Sequence, residues 1–220
     1  MTERPQLQGP ALPPAAGGPP QQIVILCHGY GADGQDLVGL ALGWRELLPH
    51  AAFFSPNAPE QVPGAPMGRQ WWAIRQFSPE ESATGLQKAA PILDAFIDEC
   101  LENAGLTEKD LALVGFSQGT MMALQVGLSR ATQLAGILGY SGAVAAPDLL
   151  RGAIRSKPPI QLIHGDLDNM IPVSAMAAAA RFLEGEGLSV STHISENIGH
   201  GIAPDGVDLG GKFLLDCFSG

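Results

Sequence analysis

The sequence predicts an α/β fold: a mainly parallel central sheet with helices on both faces. Three observations carry this. Short apolar runs alternate along the chain with longer segments whose apolar residues recur at helical spacing, the pattern of βαβ units. Most of the runs are continuously apolar, as strands covered on both faces must be. Finally, 220 residues, 45% hydrophobic and 15% charged, are enough for one sizeable core, and no linker divides the chain.

Residues 1–21 are dominated by Pro, Gly, Ala and Gln. Such a segment buries too little apolar surface to order itself, so 1–21 is expected to be a flexible tail, packed at most at its end. One domain, 22–220, follows. Its first strand is 23–28, β-branched and closed by Gly29. A helix over 36–48 and a strand over 51–55 come next. The Pro- and Gly-rich stretch 56–79 then forms a long loop carrying Trp71 and Trp72, with Met67 and Ile74 beside them. Loops this long in a compact domain tend to be functional, so Trp71, Trp72 and Met67 are expected at a substrate pocket.

Beyond it lie a helix over 82–103, a strand over 111–116, a helix over 118–129 and a strand over 134–140. A second long loop, 141–159, holds a short helix near Leu149. A strand over 160–164, an alanine-rich helix over 174–184, a more alternating strand over 188–196 and a helix over 207–218 complete the chain. No insertion is long enough for a large lid domain.

Charge narrows the function. Acidic residues outnumber basic ones 22 to 12, for a formal charge of −10. That sign repels phosphate backbones, so no nucleic-acid partner is expected. No apolar run reaches the ~18 residues a bilayer span needs, so no stable membrane insertion is expected. Cys27, Cys100 and Cys217 form no disulfide framework and read as idle thiols. The first twenty residues lack the apolar core of a signal peptide, which makes the cytoplasm the expected compartment. The sequence leaves a homodimer open.

Gly115-Phe116-Ser117-Gln118-Gly119 carries the chemistry. A serine hydroxyl is a weak nucleophile and must be held out at a sharp strand-to-helix turn where a base can reach it. The strand 111–116 and helix 118–129 supply that context, and the helix N-terminus puts its amides beside the developing negative charge. Downstream, Asp166 and Asp168 stand just past strand 160–164, on the same rim as the turn, and both are candidates for the orienting acid. His200, between Gly199 and Gly201, has the loop position a general base needs, and imidazole takes and returns protons near neutrality. His28 and His164 end buried strands and read as structural; His50 and His193 read as structural or surface residues. His28-Gly29-Tyr30-Gly31 offers a second amide for an oxyanion hole, so Tyr30 and Gln118 are the expected backbone donors.

Taken in order, His28-Gly29-Tyr30-Gly31-Ala32-Asp33, Arg69-Gln70-Trp71-Trp72, Gly115-Phe116-Ser117-Gln118-Gly119, His164-Gly165-Asp166-Leu167-Asp168 and Gly199-His200-Gly201 resemble the phospholipase/carboxylesterase family, which includes bacterial carboxylesterases and acyl-protein thioesterases. The similarity runs from residue 22 to nearly the end of the chain. It implies an α/β-hydrolase fold and a Ser117–Asp168–His200 triad, with Asp168 rather than Asp166 as the acid. It also implies hydrolysis of short- to medium-chain esters without metal or cofactor. Acyl-protein thioesterase or lysophospholipase activity is the alternative with the same triad, and a non-catalytic binding protein on the same fold the alternative from another class. Three positions depart from the family pattern: Met170 where Pro is usual nearby, Ala73 after the tryptophans, and Thr120 in place of a third glycine. Met170 and Ala73 are both expected near the acyl pocket.

Overall fold

The structure, a computed structural model, describes residues 6–76 and 78–219. Its strands are β1 (Ala11–Leu12), β2 (Gln22–Cys27), β3 (Ala51–Phe54), β4 (Glu60–Gln61), β5 (Arg69–Gln70), β6 (Leu111–Phe116), β7 (Gly136–Tyr140), β8 (Ile160–Gly165) and β9 (Val190–Ser195). The helices are α1 (Gly34–Trp44), α2 (Pro79–Ala104), α3 (Gln118–Ser129), α4 (Pro147–Ala153), α5 (Val173–Gly185) and α6 (Pro204–Phe218).

Seven strands form one sheet in the order β1-β3-β2-β6-β7-β8-β9, and every pairing is parallel except β1 with β3. Successive side chains of a strand point to opposite faces, and β2 shows this directly. Ile23, Ile25 and Cys27 join Leu93, Ile97, Met122 and Leu183 in the core under α2, α3 and α5. Val24 and Leu26 join Leu37, Trp44 and Leu214 in the core under α1 and α6. This is the expected architecture, helices on both faces of a mainly parallel sheet.

From β2 the chain moves one way to β3, and from β6 it moves the other way through β7, β8 and β9. The order therefore reverses between β2 and β6. Outside the carboxyl ends of the strands flanking such a reversal a crevice opens, the place where open α/β sheets bind ligands. The loops leaving these two strands begin at His28 and at Ser117.

Local chemistry sets the helix boundaries. α2 starts at Pro79, earlier than the periodicity predicts, because the Ser78 side chain accepts from the Glu81 amide and Pro79 suits the first turn. It stops at Gly105, whose φ of 66° is left-handed. Inside loop 56–79 the short β4–β5 hairpin pairs Glu60 with Gln70; no alternation in the sequence announces strands of two residues.

The expected flexible tail needs correction. Residues 1–5 lie outside the described residues, but those after them are packed. Leu7 is buried, the Ser55 amide donates to Pro10 O, and the Asn57 amide donates to Gln8 O. A Cβ at Gly9 would run into the Ser55 carbonyl. Composition weighs side-chain burial, whereas this segment is held through its backbone, which can order even a Pro- and Gly-rich chain.

Among the described residues no helix is long and apolar enough to cross a membrane. The three cysteines are free, and burial pushes each thiol up to about 12. Thiolate is the reactive form, so at pH 8 only about one in 10⁴ of each is competent. The native protein should therefore release no stoichiometric colour from Ellman's reagent within minutes at pH 8, while the unfolded chain gives three thiols. Fast titration of a native thiol contradicts this.

Candidate active site

Ser117 joins β6 to α3 with φ 54° and ψ −116°, a backbone conformation that a residue with a Cβ occupies only under strain. The surroundings enforce it. The Ser117 amide donates to Tyr140 O at 2.9 Å. A Cβ at Gly115 would run into the first turn of α3, and one at Gly119 into the Cys27 carbonyl of β2. Both glycines are thus required by close backbone approach. Thr120 fits because its side chain fills the space left by Gly139 and Gly142, and its hydroxyl donates to Tyr140 O at 2.8 Å.

His200 lies in the loop between β9 and α6. Its Nδ1 is 2.7 Å from Asp168 Oδ2, and its ring tilts against Phe116 with centroids 4.9 Å apart. The Asp168 side chain is fully buried at the end of β8. Its Oδ1 accepts from the Met170 and Ile171 amides, both at 2.9 Å. Burial works against its charge, yet the hydrogen bonds from His200, Ile171 and Met170 outweigh burial and hold the carboxyl below its ordinary range. Asp166 turns elsewhere: it is exposed, and its Oδ1 accepts from the Ile198 amide at 3.2 Å, tying down the loop that carries His200.

His164 is buried against the same carboxylate. Its Nε2 donates to Ile171 O at 2.8 Å and lies 3.3 Å from Asp168 Oδ2, while its Nδ1 is buried with no hydrogen-bond partner among the described residues. Sequence reasoning ranked His164 as structural and missed this contact; its spacing of four from Asp168 was the available signal. His28 is held at both nitrogens, by Gly29 O and the Ala58 amide, and burial lowers its pKa. His193 pairs with Asp205 at 2.7 Å across β9 and α6, and His50 is exposed at the surface.

The Tyr30 amide has no hydrogen-bond partner among the described residues, and the Gln118 amide is in the first turn of α3, where a helix has no internal acceptor to offer. The Gln118 side chain is a buried brace: its Oε1 accepts from the Trp71 amide at 2.9 Å and its Nε2 donates to Trp72 O at 2.8 Å. Trp71 Nε1 in turn donates to His28 O at 3.0 Å.

A cavity of ≈ 320 Å³ brings Tyr30, Ser117, Gln118 and His200 together with an apolar wall that includes Ile74, Met121, Met170 and Ile171. Met170 lines this cavity. Four other residues expected at the pocket are not in the lining. Trp71 and Trp72 are 1% and 4% exposed and belong to the core, Trp72 stacked on Gly85 of α2. An indole this large finds its burial under the loop rather than facing the cavity. Met67 is 76% exposed on the loop between β4 and β5. Ala73 also lies elsewhere, in a groove with Arg75 and Lys88. Met121, one helical turn from Ser117, was not anticipated, although that spacing carried the signal.

The chain is similar to several known proteins. The crystal structure of esterase PE8 superposes with a TM-score of 0.92 at 41% identity, covering 96% of this chain and 99% of that one. Acyl-protein thioesterase 1 of Schizosaccharomyces pombe is 30% identical over 73% of this chain and 74% of its own length. Esterase YpfH of Escherichia coli is 27% identical over 84% of this chain and 78% of its own. The family model described as Phospholipase/Carboxylesterase matches residues 14–217, and the chain belongs to that family, on an α/β-hydrolase fold.

Proposed function

We propose that this protein is a serine carboxylesterase that hydrolyses short- to medium-chain carboxylic esters through an acyl-enzyme, with Ser117 as nucleophile, His200 as general base and Asp168 as orienting acid. The observation that carries this is the meeting of Ser117 and His200 in one apolar cavity, with Asp168 on the far nitrogen of His200. Among the described residues the Ser117 hydroxyl has no protein partner, so it is free to turn to His200 Nε2. The base takes the hydroxyl proton as Ser117 attacks the carbonyl and returns it to the leaving oxygen; water then repeats the cycle on the acyl-enzyme. The amides of Tyr30 and Gln118 receive the oxyanion. Asp168 fixes the imidazole tautomer and stabilises the imidazolium.

The relatives named as acyl-protein thioesterases favour a second reading, the same triad acting on thioesters. A panel of oxygen esters and thioesters of graded acyl length separates the two, since the reading here expects the highest kcat/KM on short and medium oxygen esters. Labelling of Ser117 by a fluorophosphonate tests both against a non-catalytic protein of the same fold. An unlabelled, inactive native protein rejects both.

His164 acts in this reading as a positioning residue, because its Nε2 faces both Asp168 and the carbonyl of Ile171, a wall of the cavity. Replacing His164 by Phe removes its hydrogen bond to the Ile171 carbonyl, worth roughly 0.5–1.5 kcal/mol, together with the 3.3 Å approach of Nε2 to the Asp168 carboxylate. We expect kcat to fall about tenfold or more, with recovery in His164→Gln, whose amide nitrogen can reach the same place. A folded Phe variant with native kcat excludes the role.

A further inference from the structure

His200 walls a second cavity as well as the first. This one, of ≈ 390 Å³, lies between α1 and the His200 loop and is bounded by Asp36, Leu37, Leu40, Phe116, His200 and Ile202. It shares Phe116 and His200 with the cavity described above, but neither Ser117 nor the two oxyanion residues belong to it. Resting on the esterase reading, we propose that this second cavity holds the leaving-group half of the substrate, and that the group it selects is an apolar alcohol carrying a cationic ammonium.

The division follows from where atoms must go. In ester cleavage the carbonyl oxygen points to the Tyr30 and Gln118 amides, the acyl chain leaves the carbonyl on one side, and the alkoxy oxygen must lie within reach of the imidazole that protonates it. The proton taken from Ser117 is the one delivered to that oxygen, so ester and water give acid and alcohol with nothing left over. Ser117, both oxyanion residues and the apolar wall with Met121 and Met170 share the first cavity, so the acyl group belongs there. What occupies the second cavity meets only the proton-transferring residue and Phe116, which is the position of the departing alcohol.

Its chemistry comes from the wall and the rim. Leu37, Leu40 and Ile202 supply apolar surface, and Asp36 supplies a charge. The Asp36 side chain is exposed and has no partner among the described residues. Asp33, three residues before it, caps the Gln35 amide, and both carboxylates favour the charged form of His28. Arg69 of β5, whose charge opposes theirs at His28, is not in the cavity lining and donates to Ala58 O. With a chain charge of −10, the local field draws an ammonium in and turns a carboxylate or phosphate away. Gly39 and Gly201 both line the cavity, and a side chain at either would meet no neighbouring atom within 4 Å.

The test uses three butyrate esters: butyrylcholine, its uncharged isostere 3,3-dimethylbutyl butyrate, and methyl butyrate. kcat/KM is measured for the native protein, Asp36→Asn and Gly39→Phe, with each melting temperature as a control because Asp36 also complements the helix dipole. Asp36→Asn should lower the choline-to-isostere ratio about fivefold at low salt, and salt alone should lower the native ratio in the same direction. Gly39→Phe, which fills the cavity, should slow both bulky esters about tenfold more than methyl butyrate. Comparing variants cancels the intrinsic reactivity of each ester. An unmoved ratio in Asp36→Asn, or equal slowing of all three esters by Gly39→Phe, overturns the proposal. Fluorophosphonate labelling of Ser117 is run in parallel: if it persists while the ratios do not move, only the leaving-group site fails, and if it is absent from the native protein, the esterase reading fails first.

Discussion

Ser117→Ala is expected to abolish ester hydrolysis, lowering kcat by roughly 10⁵-fold or more while the protein stays folded. Removal of the nucleophile from a serine protease costs about 2 × 10⁶ in kcat, the remainder coming from the oxyanion hole and binding. The fold should not notice the change, because the Ser117 hydroxyl has no hydrogen-bond partner among the described residues to lose and alanine inherits the same strained φ of 54°. Ser117→Gly should go further and raise the melting temperature, since glycine accepts positive φ freely and about 1 kcal/mol or more of strain is released. The measurements are p-nitrophenyl butyrate hydrolysis, fluorophosphonate labelling and thermal melting. Stoichiometric labelling of the Ala variant, or of another serine in the native protein, would falsify the assignment.

Asp168→Asn should be the second largest effect, at least ~10²-fold in kcat, and Asp166→Asn should spare the chemistry. The two carboxylates are two residues apart, but only Asp168 reaches His200 Nδ1, at 2.7 Å, while Asp166 holds the Ile198 amide. An asparagine at 168 can present its NH₂ to the imidazole and favour the wrong tautomer, which in a serine protease costs about 10⁴-fold. Asp166→Asn keeps an acceptor oxygen for the Ile198 amide and loses only the charge on it, at most roughly 1 kcal/mol at this exposed site, read as a small fall in melting temperature. Asp168 also predicts a pH dependence. Its carboxyl is held below the ordinary range, so its ionised form stabilises the fold fully above the unfolded value near 3.9 and loses that contribution as pH falls through the lowered folded value. The melting-temperature gap between native protein and Asp168→Asn should be constant above about pH 5 and shrink below about pH 4. An active Asp168→Asn beside a folded, inactive Asp166→Asn reverses the assignment.

The sheet was legible because its signals are local and redundant. Strand β2 is a run of buried apolar residues, β6 ends in a turn whose glycines have nowhere to place a side chain, and β8 runs straight into the turn that carries Asp166 and Asp168. Each is written in adjacent residues. What the sequence hid depends on contacts between distant segments. Residues 6–12 look unable to pack until β3 is there to receive their backbone. Trp71 and Trp72 carry the chemistry of a pocket wall, yet Gly85 of α2 leaves a space that one indole fills, and Gln118 fixes the backbone of both. Asp166 and Asp168 cannot be told apart by spacing, because an extended loop puts both on one side; the amides of Met170 and Ile171 and the burial of Asp168 distinguish them. Met121 on the cavity wall is marked by its helical spacing of four from Ser117, a signal as local as those of the strands.

The pairing of Ala11–Leu12 with β3 bears on how copies of the protein stay apart. β3 reads Ala-Ala-Phe-Phe, buried over most of its length, and an unprotected edge of that composition is a template for strands from other molecules. The short strand covers it, and Pro10, Pro13 and Pro14 bracket the cover. Prolines offer no amide to a further strand, so the growing side is closed in the same stroke. Removing residues 1–19 should therefore leave the catalytic residues in place but make the protein self-associate on warming, seen as rising light scattering before any loss of secondary structure. A truncated protein that stays monodisperse to its melting temperature would show that the β3 edge needs no cover.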